Sequence, residues 1–121
     1  MKILIIDDDR LTTSAISHNV EILGHKPSVA ATAEDAMKMI GDDNYDLIIS
    51  DIMMPGISGL SLVTVLRTVQ LNFTPIIMMS TLHNKHLLDA AIQAGANDFL
   101  DKPVSLSQLE AKVKQFEKKK A

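Results

Sequence analysis

The sequence predicts an α/β fold, a doubly wound three-layer sandwich in which helices cover both faces of a five-stranded parallel sheet. Short apolar runs alternate with longer segments whose apolar residues recur at helical spacing, and this alternation occurs five times. The run Leu47–Ile49 is apolar at every position, which is typical of a strand buried on both faces. The length of 121 residues suits a single domain that spans residues 1–121.

Each predicted strand is a short run bounded by polar or turn-forming residues. The second strand is weak and follows Pro27, whereas the fourth begins with Pro75, a first position at which proline is tolerated. In chain order the five predicted strands are Lys2–Ile6, Ser28–Ala31, Leu47–Ile49, Pro75–Met79 and Asp98–Leu100.

Start and stop signals delimit the helices between these strands. Thr32, Ser58 and Ser105 can each cap a helix, because a hydroxyl oxygen accepts a hydrogen bond from an N–H of the first turn. Ser105 and Gln108 together form a capping box. The glycines that end the first, second and fourth helices are Gly24, Gly41 and Gly95.

The predicted helices each carry an apolar face toward the sheet. In chain order they cover residues 11–23, 33–40, 58–70, 87–94 and 106–116. In the third helix, the side chains expected to point inward are Leu62, Val63, Leu66 and Val69.

Polar side chains follow the predicted strands at their carboxyl ends, which is the edge where ligands bind to an open parallel sheet. These groups are Asp7 and Asp8 after the first strand, Asp51 after the third, Ser80 after the fourth and Lys102 after the fifth. The next acid, Asp9, can instead cap the helix that follows. Two carboxylates about 4 Å apart repel by roughly 4 kcal/mol at an effective dielectric constant near 20. A cluster of these acids therefore requires a cation or a proton.

Three carboxylates, a hydroxyl and an ammonium group at one edge suit phosphoryl transfer. A carboxylate can act as a nucleophile toward phosphorus and form an acyl phosphate. Two further carboxylates provide the oxygen ligands that Mg²⁺ prefers. Lysine and hydroxyl donors would neutralise the phosphoryl oxygens from the other side.

The composition excludes several other classes of protein. A net charge of −3, one Tyr and three Phe offer neither a basic surface nor a stacking platform for nucleic acid. Zero cysteines exclude a disulfide framework and a thiolate metal site. No apolar run approaches the ~20 residues of a membrane span. The first strand begins directly after Met1 and leaves no room for a signal peptide, so we expect a cytoplasmic location.

At this point the chain resembles the receiver domain of bacterial two-component response regulators, over essentially its whole length. The resemblance rests on four motifs in order: ILIIDDD, DLIISDIMMPGISGL, PIIMMST and AGANDFLDKP. Each motif is weak alone, but four in this order and spacing are highly specific. The resemblance implies a flavodoxin-like sheet with strand order 2-1-3-4-5.

The resemblance also implies which residues bind phosphate and metal. By match to the family, Asp51 is the residue that accepts the phosphoryl group. Asp8 binds Mg²⁺ directly together with Asp51, and Asp7 contacts the ion through water. The backbone carbonyl of Met53, two residues beyond Asp51, completes the protein ligands.

A second group of matched residues would respond to the phosphate. Ser80 resembles the switch hydroxyl that moves toward the phosphoryl group, and Lys102 would hold phosphate oxygens. The peptide bond before Pro103 is expected to be cis. Phe99 stands where the family carries an aromatic side chain that turns inward on activation.

These matches imply a signalling switch rather than an enzyme, although the domain assists its own phosphorylation and slow dephosphorylation. The donor would be a phosphohistidine on a sensor histidine kinase or phosphotransfer protein, or a small acyl phosphate. The output would be an unknown protein or a C-terminal effector in a longer parent chain, with the domain a monomer or a phosphorylation-dependent dimer. No direct contact with nucleic acid or membrane is expected.

One departure from the family pattern concerns the lifetime of the phosphorylated form. Met53 and Leu82 occupy positions where family members often carry polar side chains that orient a hydrolytic water. Apolar side chains cannot hydrogen-bond that water. We therefore predict slow self-dephosphorylation.

Three alternative functions compete with the switch. An aspartate-nucleophile phosphohydrolase would use Asp7 as nucleophile and Asp9 as general acid, but Leu11 stands where such enzymes carry Thr or Val and the chain lacks a substrate-capping insertion. A phosphate-independent interaction module is disfavoured by the complete set of acids. A flavin-binding protein on this fold is disfavoured by the small number of aromatic residues.

Overall fold

All five strands lie in one parallel sheet in a computed structural model that describes residues 1–54, 56–81 and 85–117, with the side chain of Lys85 left out. The strand order is β2-β1-β3-β4-β5, as the resemblance implies. The strands are β1 (Lys2–Ile6), β2 (Lys26–Ala30), β3 (Leu47–Asp51), β4 (Ile76–Ser80) and β5 (Asp98–Asp101). The helices are α1 (Arg10–Ile22), α2 (Ala33–Asp42), α3 (Gly59–Thr68), α4 (Lys85–Ala94) and α5 (Leu106–Phe116). The predicted doubly wound fold is confirmed.

Alternate residues of each central strand face opposite sides of the sheet, and each side has its own apolar cluster. Ile3 and Ile5 of β1 pack in a cluster with residues of α1 and α5, such as Val20 and Val113. The intervening Leu4 and Ile6 pack with residues of α2, α3 and α4. All five residues of β3, and all five of β4, are buried, so these strands form the middle of the three layers.

Side-chain caps begin four helices at the expected places. Asp9 accepts a hydrogen bond from the backbone N–H of Leu11, and Thr32 accepts one from Asp35. Ser58 caps α3 through the N–H of Ser61. The capping box that opens α5 is complete in both directions, with Ser105 and Gln108 as its members. These caps fix the point at which each loop of the functional edge becomes helix.

Three predictions about the elements are wrong. The second helix continues through Gly41 and ends at Asp42, so this glycine is not its stop signal. The second strand starts at Lys26 and includes Pro27, because β2 lies at the edge of the sheet, where a residue without an N–H is tolerated. The third helix ends at Thr68 and not at Gln70. Val69 is the residue that terminates this helix, so its side chain leaves the apolar stripe and is 73% exposed.

Candidate functional site

Three carboxylates converge where β1 and β3 end. The two strands are parallel neighbours with Ile6 opposite Ser50, so the acids that follow them arrive side by side. Asp7 and Asp51 are buried, with 2% and 7% of their surface exposed, whereas Asp8 is exposed. One carboxylate oxygen from each of the three residues lies within 4.8 Å of the others. The grouping predicted from the sequence is therefore present.

The Lys102 ammonium group reaches into this cluster from the end of β5. Its Nζ atom lies 2.5 Å from Oδ2 of Asp7 and 3.4 Å from Oδ2 of Asp51. Its backbone N–H donates to the carbonyl of Ser80 at 2.8 Å, which fixes the loop beside the end of β4. The bond between Lys102 and Pro103 is cis, as the resemblance implies. Lysine thus supplies the positive charge that the acids require.

Burial and neighbouring charges shift the acid–base properties of both partners. Burial is the largest influence on Asp51 and raises the pKa of its carboxyl group, with a further rise from Asp7 and an opposing effect of Lys102. Burial alone would lower the pKa of Lys102, but its hydrogen bond to Asp7 and the charges of Asp51 and Asp7 outweigh this and raise it. The site therefore favours a charged lysine and disfavours a second negative charge on Asp51.

The other predicted site residues occupy different positions. Ser80 is the last residue of β4 and is 4% exposed at the same edge of the sheet. The backbone N–H of Met53 donates to Oδ1 of Asp51 at 3.3 Å, and its side chain is 63% exposed. Phe99 lies apart from the acids on β5, where it is 41% exposed and Nζ of Lys112 is 5.7 Å from its ring centroid. Leu82 lies outside the described residues.

Gly59 has a role at this site that the sequence analysis missed. A Cβ atom at this position would lie 2.3 Å from the carbonyl oxygen of Asp51 and 2.7 Å from Cε of Met78. Gly59 thus lets the start of α3 pack directly against the strand end that carries Asp51. The signal in the sequence was a glycine at the first position of a helix, directly after the cap Ser58, where no turn requires it.

The donor set of the cluster fits a hard divalent cation. Three carboxylates supply only oxygen ligands, and Mg²⁺ is held in proteins through one or two carboxylates while it keeps several waters. Asp8 is exposed and accessible to such an ion. Asp9, by contrast, uses one carboxylate oxygen for the N–H of Leu11 and the other for the hydroxyl of Thr12. These hydrogen bonds lower the pKa of the Asp9 carboxyl group and so disfavour it as the general acid of the phosphohydrolase alternative.

Comparison with known proteins identifies the family. The family model described as response regulator receiver domain matches residues 3–114 of the chain. The chain therefore belongs to the response regulator receiver domains, the phospho-accepting signalling switches of two-component systems. Within the described residues, no helix combines the length and apolar character needed to cross a membrane.

Individual relatives agree with this assignment. Transcriptional regulatory protein CrdR of Helicobacter pylori is 30% identical over 115 residues, which cover 95% of this chain and 54% of that protein. Transcriptional regulatory protein CpxR of Escherichia coli K12 is 34% identical over 113 residues, which cover 93% and 47%. A crystal structure of a two-component response regulator from Clostridium difficile superposes with a TM-score of 0.90 at 31% identity, covering 96% of this chain and 94% of that one. The chain spans about half the length of these two curated relatives.

Proposed function

We propose that Asp51 accepts a phosphoryl group in a Mg²⁺-dependent reaction and that this modification switches a protein-interaction surface. The observation that carries the proposal is the convergence of Asp7, Asp8 and Asp51 within 4.8 Å, with Lys102 bonded between two of them. An ion pair alone would need only one of these acids. Three acids around one lysine leave net negative charge that suits a divalent cation.

The chain's own residues account for most of the reaction. A carboxylate oxygen of Asp51 attacks the phosphorus of a phosphohistidine or a small acyl phosphate, and a new P–O bond forms as the bond to the leaving group breaks. Lys102 neutralises charge on the transferred oxygens. Mg²⁺, held by Asp8, Asp51 and the carbonyl of Met53 with Asp7 through water, would supply further charge stabilisation. The product is an acyl phosphate on a single buried side chain.

The phosphoryl group then changes which contacts are favourable. It adds strong acceptor oxygens, so Lys102 can leave Asp7 and Ser80 can move toward the phosphate. Phe99, which is 41% exposed, would turn inward into the space that Ser80 vacates. These movements shift a pre-existing equilibrium between two conformations of the face made by α4, β5 and α5. A differential binding energy of about 5.5 kcal/mol is sufficient to invert a 1:99 population.

An apolar groove beside Lys102 provides the approach for the donor. It has a volume of about 550 Å³ and is bordered by the first turns of α1 and the loop after β5. Leu11 at its rim is 82% exposed, and Ala15 and Pro103 also line it. We propose that a sensor histidine kinase or phosphotransfer protein packs here and presents its phosphohistidine to Asp51.

The output partner is proposed from the relatives. CrdR and CpxR are named transcriptional regulatory proteins and are about twice as long as the matched region. We propose either a C-terminal effector in a longer parent chain or a separate output protein, with the receiver itself making no contact with nucleic acid or membrane. It would be a monomer or a phosphorylation-dependent dimer. We propose a cytoplasmic location, in agreement with the expectation from the sequence.

Intact mass measurement tests the proposal directly. The chain is incubated with acetyl phosphate in the presence and absence of Mg²⁺, and the mass of one phosphoryl group is expected only with both. Asp51→Asn should abolish the gain. The matched control is Asp43→Asn, which removes an exposed carboxylate paired with Lys2 far from the site. Phosphate mapped to Asp7 would instead support the phosphohydrolase alternative.

A second prediction concerns the lifetime of the phosphorylated form. The double variant Met53→Asn, Leu82→Glu introduces polar side chains able to orient a hydrolytic water, so we expect dephosphorylation to accelerate by about tenfold, equivalent to roughly 1.4 kcal/mol in barrier. The decay of phosphorylated mass after donor removal measures this. Equal decay rates in the parent and the double variant would contradict the prediction.

A further inference from the structure

Met53 differs from the other methionines of the chain in its exposure. The sequence contains seven methionines, and all of them lie in described residues. Met78 and Met79 are fully buried, and Met54 is 9% exposed. Three others, at positions 1, 37 and 39, are partly buried, whereas 63% of Met53 is exposed. An oxidant in solution therefore has the best access to the thioether of Met53.

The location of this thioether gives its oxidation a consequence. The backbone N–H of Met53 donates to Oδ1 of Asp51 at 3.3 Å, so the thioether lies no further than the length of one methionine side chain from that hydrogen bond. A thioether is apolar and accepts hydrogen bonds only weakly. A sulfoxide is polar and carries an oxygen that accepts them strongly, and its formation is reversible by methionine sulfoxide reductases.

We propose that Met53 is a hydroperoxide-sensitive modification site whose oxidation shortens the life of the phosphoryl group on Asp51. In the oxidation, the O–O bond of the hydroperoxide breaks, one oxygen atom joins the sulfur of Met53, and the hydroperoxide is reduced to an alcohol or to water. The lifetime effect rests on the proposed phosphorylation of Asp51; the selective oxidation does not.

The sulfoxide acts through a water molecule. Its oxygen accepts a hydrogen bond from a water beside the acyl phosphate and holds that water in position to attack phosphorus. As the water oxygen bonds to phosphorus, the bond between phosphorus and the Asp51 oxygen breaks and the Asp51 carboxylate is regenerated. Inorganic phosphate leaves with one proton of the water, and the other proton passes to solvent. Oxidation thus resets the switch without a partner protein.

Site selectivity is tested first, on the whole unphosphorylated chain. The chain is treated with limiting hydrogen peroxide and digested, and the peptides are analysed by mass spectrometry. We expect the first oxygen atom at Met53, and its removal by methionine sulfoxide reductases. Faster oxidation of Met37 or Met39 would overturn the inference.

The lifetime is tested next, with reduced and oxidised protein phosphorylated by acetyl phosphate and Mg²⁺ and then freed of donor. We expect the oxidised form to lose phosphate about tenfold faster, equivalent to roughly 1.4 kcal/mol in the barrier to hydrolysis. Reductase treatment should restore the slow decay. Equal decay of both forms would overturn the inference and leave the proposed function intact.

Two variants separate the sulfoxide from general oxidative damage. Met53→Leu removes the thioether, so its decay rate should be the same before and after peroxide treatment. Met53→Gln carries a carboxamide oxygen in place of the sulfoxide oxygen, so it should decay faster than Met53→Leu without any peroxide. A peroxide response retained in Met53→Leu would overturn the inference. Failure of the reduced parent to take up phosphate would instead overturn the proposed function.

Discussion

Asp51 lies at the end of a strand that is buried along its whole length, and this position determines its acid–base behaviour. Burial raises the pKa of its carboxyl group, and the negative charge of Asp7 raises it further. Lys102 lies 3.4 Å away and compensates only in part. The folded protein therefore holds the ionised carboxylate less favourably than the unfolded chain does.

This shift gives a stability prediction for Asp51→Asn. A carboxyl group whose pKa is raised by folding destabilises the fold once it is ionised, so stability falls as the pH rises from its unfolded value of 3.8 through the raised value. Replacing the carboxylate by an amide should increase the free energy of unfolding at pH 7 by about 1 kcal/mol, the usual scale of a single stabilising substitution. Urea unfolding at pH 7 and below pH 4 measures the difference.

The gain should disappear at low pH, where the parent carboxyl group is protonated in both states. A stabilisation that persists unchanged below pH 3.8 would show that the amide acts by some other route. Asp43→Asn, which alters an exposed pair with Lys2, is the matched control and should not reproduce the gain.

At this residue scale, the sequence predicted the members of the site better than their contacts. Strand ends in a parallel sheet must meet at one edge, so the grouping of Asp7, Asp51 and Lys102 followed from the strand pattern alone. The sequence did not predict that Lys102 lies closer to Asp7, at 2.5 Å, than to Asp51, at 3.4 Å, because these distances depend on side-chain geometry. The capping role of Asp9 was likewise one of two readings of an acid after a strand.

The connection from β3 to α3 is the element most sensitive to added volume. The N–H of Gly59 donates to the carbonyl of Ile52 at 3.2 Å, and a Cβ atom there would overlap the backbone of Asp51 and Ile52. The obstructing atoms are mostly backbone, which cannot move aside without displacing the strand end. The helix start and the acidic cluster are therefore coupled through this glycine.

A pair of glycine variants tests that coupling. Gly59→Ala should lower the free energy of unfolding by about 1–3 kcal/mol, as overpacking usually does. Gly41→Ala is the matched control, because a Cβ atom there meets nothing within 4 Å and alanine raises helix propensity in α2. We expect it to be neutral or stabilising by up to about 1 kcal/mol in chemical denaturation. Equal effects of the two substitutions would contradict the close approach at Gly59.

At this element scale, the accuracy of the sequence prediction followed burial. The central strands β3 and β4 are buried on both faces and were evident from their unbroken apolar runs. The edge strand β2 has only one fully buried residue, Ala30, so its pattern was faint and its start was placed too late. Val69 was assigned inward because periodicity continues past a helix end that depends on local backbone geometry.

For the whole molecule, a bound divalent cation should stabilise the fold. A ligand that binds only the folded state adds about 2.7 kcal/mol to the free energy of unfolding when its concentration is one hundred times its dissociation constant. We expect Mg²⁺ to raise the melting temperature of the parent, and removal by a chelator to reverse this. Asp51→Asn should lose most of the increase, since it removes one of three converging carboxylates.

Thermal unfolding with and without Mg²⁺ measures this effect at constant ionic strength. Asp43→Asn again serves as the control, because it removes the same charge from an exposed position. An equal loss of Mg²⁺ stabilisation in both variants would indicate diffuse counter-ion binding and contradict a specific site.

The sheet divides the interior into two apolar clusters, one toward α1 and α5 and one toward α2, α3 and α4. Substitutions that are well separated and share no neighbours have nearly independent effects on stability. Changes in the layer under α2 and α3 therefore leave the packing beneath the donor groove next to α1 largely untouched. The surface over α2 and α3 can therefore change by substitution while the groove next to α1 keeps its packing. The two surfaces can evolve separately, and a new partner at one need not disturb binding at the other.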